Sequence, residues 1–267
     1  MTSLAGEIQP SNYSVLDFSR SHWYEKLTCA NSPCANPGVK QCARCHNDVY
    51  CSRECQVAHY KLHKTFCNRI AASPENVAKY EEACAFYKSG CELHEKAKYS
   101  EAISDFRKAI EISVEVLGKN SEFTAFCYRM VGNIMGSMHG YDEALVELRI
   151  ALQMLKEVLG EEHRQTAIIF DDIGNVFQLK GKPDDALIGY GKALAIRTKL
   201  FGENHNITAQ SYHNIGLVLF KKNQYKDALE SFRKAHAIVK RDFGESDPLT
   251  VELARKITFI QCQGNTK

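Results

Sequence analysis

The chain has no strong excess of either charge: 34 Lys and Arg against 32 Asp and Glu leave a net charge of +2 over 267 residues. Bulk nucleic-acid binders carry a basic face or stripe, so the balance argues against that class. Long apolar runs are missing too. No stretch approaches the roughly 18 residues that a membrane helix needs, and no membrane association is expected. The opening residues, 1–20, lack a basic end leading into an apolar core, so no secretory leader is expected. What the chain holds in quantity is cysteine, eleven in all. The expected compartment is the cytoplasm, with the nucleus also open. Thiols stay reduced there, and clustered cysteines then read as metal ligands before disulfides.

The cysteines are unevenly spread. Seven of the eleven lie between Cys29 and Cys67, with the spacing C-x4-C-x7-C-x2-C-x5-C-x3-C-x7-H-x3-C. Seven thiols and one imidazole are enough for two tetrahedral zinc sites. So short a segment buries little apolar surface, and bound zinc contributes on the order of 10 kcal/mol to the folding of small fingers. The spacing alone does not decide which pairs share a metal. His59 stands one turn before His63 on an expected short helix from Cys51 to Lys64, and the terminal C-x7-H-x3-C fit favours His63 as the ligand. Eight ligands fill two sites and leave no open position for catalytic water. The remaining cysteines, Cys84, Cys91, Cys127 and Cys262, fall in helical segments and read as small buried apolar side chains.

Cys42, Cys45, Tyr50, Cys51, Cys55, Gln56, His63, Lys64 and Cys67 reproduce a known pattern. C-x2-C is followed by Tyr-Cys-x3-Cys-Gln and by His-Lys ahead of a last Cys. The segment 29–67 resembles the MYND family of zinc fingers. That resemblance implies a cross-brace, with Cys29, Cys34, Cys51 and Cys55 on one zinc and Cys42, Cys45, His63 and Cys67 on the other. It departs from the family in the four residues between Cys29 and Cys34, where two are usual, and in Tyr60, where Trp is usual. Some MYND fingers hold a short proline-rich peptide beside the last helix, and the residues in question correspond to Gln56 and Tyr60. Four apart, they share one helix face.

From about residue 80 a repeat takes over. Gly90, Gly132, Gly174 and Gly216 are spaced by 42, and other residues keep the same register. Four before each glycine stand Phe86, Tyr128, Phe170 and Tyr212. Twelve after it stand Ala102, Ala144, Ala186 and Ala228; sixteen after it, Phe106, Leu148, Tyr190 and Phe232. Nineteen after it come Ala109, Ala151, Ala193 and Ala235, and a second glycine series follows at Gly118, Gly160, Gly202 and Gly244. A fixed period of this length marks stacked structural repeats. Each unit reads as two antiparallel helices, A and B, with small residues at the close approach, and the second glycine ends helix B. Pro183 fits the first turn of its helix. The order of these residues resembles the tetratricopeptide repeat. The longer period and the endings LGEEH and FGENH are similar to the repeats of kinesin light chains.

The expected architecture is therefore mainly α: a small zinc-stabilised MYND-type finger followed by an all-α TPR-like superhelical solenoid. Residues 1–28 form an N-terminal segment expected to be flexible, 29–67 the finger, 68–79 a linker, 80–246 four 42-residue units and 247–263 a capping helix. Helix A residues line the concave surface of TPR arrays and grip extended peptides. By position Arg129, Asn133, Asp172, Asn175, His213 and Asn214 are the inward candidates, and Asn side chains there suit a ligand backbone. The alternative is that they bond to neighbouring helices. The expected function is a zinc-binding adaptor or scaffold that takes peptide segments of partner proteins, without catalysis. A methyltransferase of the SET and MYND type needs a further domain of over a hundred residues, for which only 28 residues precede the finger. No phosphate-binding glycine loop or nucleophile–base arrangement stands out. Nucleic-acid binding through Lys40, Arg44, Arg53, Lys61, Lys64 and Arg69 is the third reading, against a merely solvated basic surface.

Overall fold

The computed structural model describes residues 40–41, 49–50, 64 and 68–264. The N-terminal segment, all eight expected zinc ligands, Gln56 and Tyr60 lie outside the described residues. Within 29–67 the structure shows two short strands, β1 (Lys40–Gln41) and β2 (Val49–Tyr50), paired antiparallel with Lys40 opposite Tyr50 and Gln41 opposite Val49. The ladder sets the chain just before Cys42 beside the chain just before Cys51.

The rest is helical. Among the described residues nine helices follow in order: α1 (Pro74–Glu95), α2 (Tyr99–Leu117), α3 (Glu122–Ser137), α4 (Tyr141–Leu159), α5 (Arg164–Leu179), α6 (Pro183–Phe201), α7 (Asn206–Lys221), α8 (Tyr225–Phe243) and α9 (Pro248–Gly264). α1/α2, α3/α4, α5/α6 and α7/α8 pack as hairpins, each second helix also packs on the first helix of the next pair, and α9 packs on α8. This is an all-α solenoid of four A–B units.

The glycine register explains the close packing. A Cβ on Gly216 would stand 2.7 Å from the Phe232 ring, and one on Gly174 would stand 2.8 Å from the Tyr190 ring. Such distances are below van der Waals contact, so each A helix can receive the large B-helix side chain only where no Cβ stands. Tyr190, Phe106 and Phe232 are accordingly among the largest fully buried side chains, and the four register alanines at Ala102, Ala144, Ala186 and Ala228 are completely buried. One period beyond Gly216 stands Thr258, exposed on α9. Its hydroxyl donates to the Ala254 carbonyl of the same helix at 3.0 Å.

The turn from A to B is built identically in each unit. Ala97, His139, Gly181 and Asn223 take φ of 56°, 66°, 76° and 60°. The next residue donates its N–H five residues back, at 2.9 Å in every unit: Lys98 to Leu93, Gly140 to Met135, Lys182 to Phe177 and Gln224 to Leu219. This is the six-to-one bond of a Schellman ending. Helix B starts next, with Pro183 at the first position of α6, where a missing N–H costs little.

One boundary differs from the expectation. Ser73–Pro74 opens a helix inside the stretch 68–79 expected as linker. Ser73 Oγ accepts from the Asn76 N–H at 3.1 Å, and Pro74 occupies the first turn. A serine N-cap followed by proline is a start signal. Just before it Ile70, 2% exposed, packs with Tyr80, Val116 and Leu117. The connection is anchored to the first unit at a point three residues after Cys67.

Candidate functional site

The sequence-based candidates lie on α3, α5 and α7, each three before, two before or one after its helix's glycine. In the central units these positions converge on one another. Arg129 of α3 donates through Nε to Asp172 Oδ2 of α5 at 2.7 Å, and Asn133 Nδ2 donates to the same oxygen at 3.2 Å. Asp171 faces the other way and pairs with Arg197 of α6 at 2.5 Å. Arg197 Nη1 also donates to Ser211 Oγ of α7 at 2.7 Å. A buried polar chain thus links three consecutive units. Its two carboxylates are held above their usual range, Asp171 pushed up to about 6, by burial. Arg197 beside Asp171 and Arg129 beside Asp172 oppose that rise.

Two of the residues expected to contact a peptide lie inside the array. Arg129 and Asn133, each 3% exposed, are consumed by Asp172 within the array. An arginine that has lost its water needs a carboxylate beside it, and the next A helix supplies one at the neighbouring register. Asp172, expected on the inward surface, is the buried partner. The Asp171–Asp172 pair belongs to the interior.

Asn175 and Asn214 remain half-buried on α5 and α7. The Tyr190 hydroxyl donates to Asn175 Oδ1 at 2.5 Å and lies 3.1 Å from Gln178 Oε1. With its oxygen accepting from Tyr190, the Asn175 amide keeps its N–H donors. Burial also holds the Tyr190 phenol well above its usual range, so it remains a donor. His213, the next inward position, lies 3.8 Å from Glu252 of α9. Arg197 was missed by sequence reasoning because it sits on a B helix. Its signal was a lone arginine at a register position otherwise held by Ser113, Leu155 and Val239.

Among the described residues no group of three His, Cys, Asp or Glu is placed to hold a metal ion. The donor set suited to zinc is that of 29–67, seven thiols and an imidazole. Cys127 is completely buried in the apolar core of the first two units, and burial pushes its thiol up. Such a thiol is inert.

Comparison with known proteins agrees with this division. The model of the MYND finger matches residues 29–67. Models of the tetratricopeptide repeat match 90–122, 132–196 and 173–241. Among solved structures, BtubC (BKLC) from P. vanneervenii is similar at 18% identity, with 79% of this chain and 84% of that one covered and a TM-score of 0.64. A Podosopora anserina chain of nearly identical, kinesin-light-chain TPR-like repeats is similar at 15% identity, covering 68% and 86%, with a TM-score of 0.58. The apo form of RapI matches at 19% identity, covering 69% and 65%, with a TM-score of 0.59. At these identities the likeness is one of fold. The matched models are a zinc-binding finger and helical repeats, and none is a catalytic domain.

Proposed function

Because the chain carries a MYND finger at 29–67 followed by kinesin-light-chain-like tetratricopeptide repeats across 90–241, we propose that it is a protein-interaction adaptor whose two modules each take a peptide segment of a partner. The finger binds two zinc ions, one through Cys29, Cys34, Cys51 and Cys55 and the other through Cys42, Cys45, His63 and Cys67. Gln56 and Tyr60 form its peptide-binding face. The array holds an extended segment along α5 and α7. The observation that supports this half is Asn175, whose oxygen accepts from the Tyr190 hydroxyl and whose amide N–H groups are the donors for an incoming carbonyl. Asn214 offers a second amide on the next A helix. Arg129 and Asn133 support the groove from inside and do not touch the ligand. Thiolate ligands require a reducing compartment, which suits the cytoplasm or nucleus. Two modules on one chain raise the effective concentration of one partner at the other.

Affinity capture with mass spectrometry tests this on the full chain. Cys42→Ser with Cys45→Ser disables the finger, and Asn175→Ala with Asn214→Ala disables the groove. Each variant is expected to lose a different set of partners. Retention of the same partners by both variants would refute the two-module reading. The finger's half is checked by titrating a PxLxP-type peptide: the expected chemical-shift changes centre on Gln56 and Tyr60.

A further inference from the structure

Each B helix ends at a glycine, and four residues later the next A helix begins. The four residues that cap those starts occupy one register position but use different chemistry. Ser121 Oγ accepts from the Thr124 N–H at 3.0 Å. Asp247 Oδ1 accepts from Leu249 at 3.0 Å and Thr250 at 3.2 Å. At the two middle junctions the acceptor is an imidazole: His163 Nδ1 takes the Gln165 N–H, and His205 Nδ1 takes the Ile207 N–H, each at 3.2 Å. Hydroxyl and carboxylate caps are common, and histidine is outside the preferred set.

The imidazole differs from the other two in one respect. Its ring nitrogen accepts only while it carries no proton, so the cap exists only in the neutral Nε2–H form. A proton on Nδ1 removes the acceptor and turns the same atom into a donor facing a donor. It also adds a positive charge at the positive end of the α7 dipole. His163 is 7% exposed, whereas His205 is half-buried and reached by solvent. The surroundings of His205 are mixed. The Phe201 ring stacks on it at 5.0 Å. Asp242 at the end of α8 favours the charged form, and Arg241 and Arg164 oppose it. Burial is the largest influence and holds the ring below its usual value. Arg241 is itself occupied, with Nε on Asp242 and Nη2 on the Asn204 carbonyl, both at 2.7 Å.

We propose that His205 makes the junction between the third and fourth units an acid-sensitive hinge, in which protonation uncaps α7 and loosens its first turn from the third unit. Units of a solenoid contact only their neighbours. Loss of order at the α7 start therefore weakens the hold on the fourth unit and α9, and leaves the first two units in place. The hinge lies at the end of the array beyond Asn175, so it also alters the register between Asn175 and Asn214. The first turn of α7 is the only part of this chain of events that the test needs to read, which keeps it separate from whether the groove binds a peptide.

The chain itself supplies the control substitutions, since Ser121 and Asp247 cap at the same register position through oxygen acceptors. Hydrogen exchange with mass spectrometry on the full chain at about pH 7.5 and about pH 5.5, corrected for the intrinsic rate, reads the protection of amides 207–211. Amides 124–128, behind Ser121, serve as the internal reference. The wild type is expected to lose protection at 207–211 by about fivefold on acidification, the order of one helix cap, with no matching loss at 124–128. His205→Ser and His205→Asp are each expected to keep the neutral-pH protection and to abolish the acid loss. A wild type whose 207–211 amides ignore pH, or variants that show the same loss, would overturn the proposal.

Discussion

Asp171 and Asp172 are adjacent in sequence and face opposite ways across the array, one to Arg197 and the other to Arg129. Their separation follows from the helix: neighbouring residues are about 100° apart, so one carboxylate reaches the B helix of its own unit and the other reaches back to the preceding unit. For Asp171 burial outweighs the attraction of Arg197, and its pKa stands near 6 against an ordinary 3.8. The sign follows by linkage. The folded chain holds a proton between about pH 4 and pH 6 that the unfolded chain has already lost, so this group's contribution is full below pH 4 and is lost as pH rises to 6. A shift of this size corresponds to stability on the order of 3 kcal/mol. Urea midpoints measured across that window should show the slope in the wild type and a flatter profile in Asp171→Asn. Equal slopes would place the titration elsewhere. His205 works in the opposite direction, losing its contribution as pH falls from 6.5 through its lowered folded value, so each histidine or aspartate variant isolates its own half of the profile. Neither group was legible in the sequence as a titrating partner. Arg129 and Asp172 are 43 residues apart, one period plus one, and that offset becomes meaningful only when the A helices are laid side by side. Histidine carries no usual capping signal, although the endings LGEEH and FGENH were visible at the repeat boundary.

At the scale of the helix pair, the sequence was easier to read because the same small-to-large contact is written four times. Aromatic, glycine, alanine and large residue recur at one register, and the structure places each glycine against the large residue of its own unit. The boundary at 68–79 was harder, since Ser73–Pro74 serves equally as a break or as a capped start, and Ile70 supplied the deciding contact. The glycines also separate two kinds of helical glycine. Gly216→Ala pushes a Cβ to within 2.7 Å of the Phe232 ring, which is completely buried and packed on the core of the fourth unit. Overpacking of this kind costs roughly 1–3 kcal/mol. Gly191 lies within α6 with nothing inside 4 Å of a built Cβ. Gly191→Ala should therefore stabilise by up to about 1 kcal/mol through helix propensity and a stiffer unfolded chain. Chemical denaturation of the two variants side by side is the check. The expected outcome is opposite signs, and a loss of stability in both would mean that α6 touches something at Gly191 that the array alone does not show.

At the scale of the molecule, two ways of holding a fold stand on one chain. Residues 29–67 match a zinc-binding finger, in a segment too short to bury much apolar surface of its own. The array depends on apolar contacts between units, and each unit's core is made from its own two helices and the next A helix. The link between them is short and anchored: Ile70 is packed under Tyr80, Val116 and Leu117, and Asn76 Nδ2 donates to the Arg69 carbonyl at 3.0 Å. Among the described residues, those that follow the finger directly are anchored on the first unit. Native mass spectrometry is expected to find two zinc ions per chain, and one after His63→Ala, since that imidazole serves a single site. A strong chelator should then remove both ions and leave most of the far-ultraviolet helical signal, because all nine described helices lie beyond residue 73. Whatever loss occurs should fall on amides 74–118, the first unit, and fade by the second, as nearest-neighbour coupling requires. Collapse of the whole helical signal on chelation would instead make the finger the nucleus of the array, and the two modules one cooperative unit.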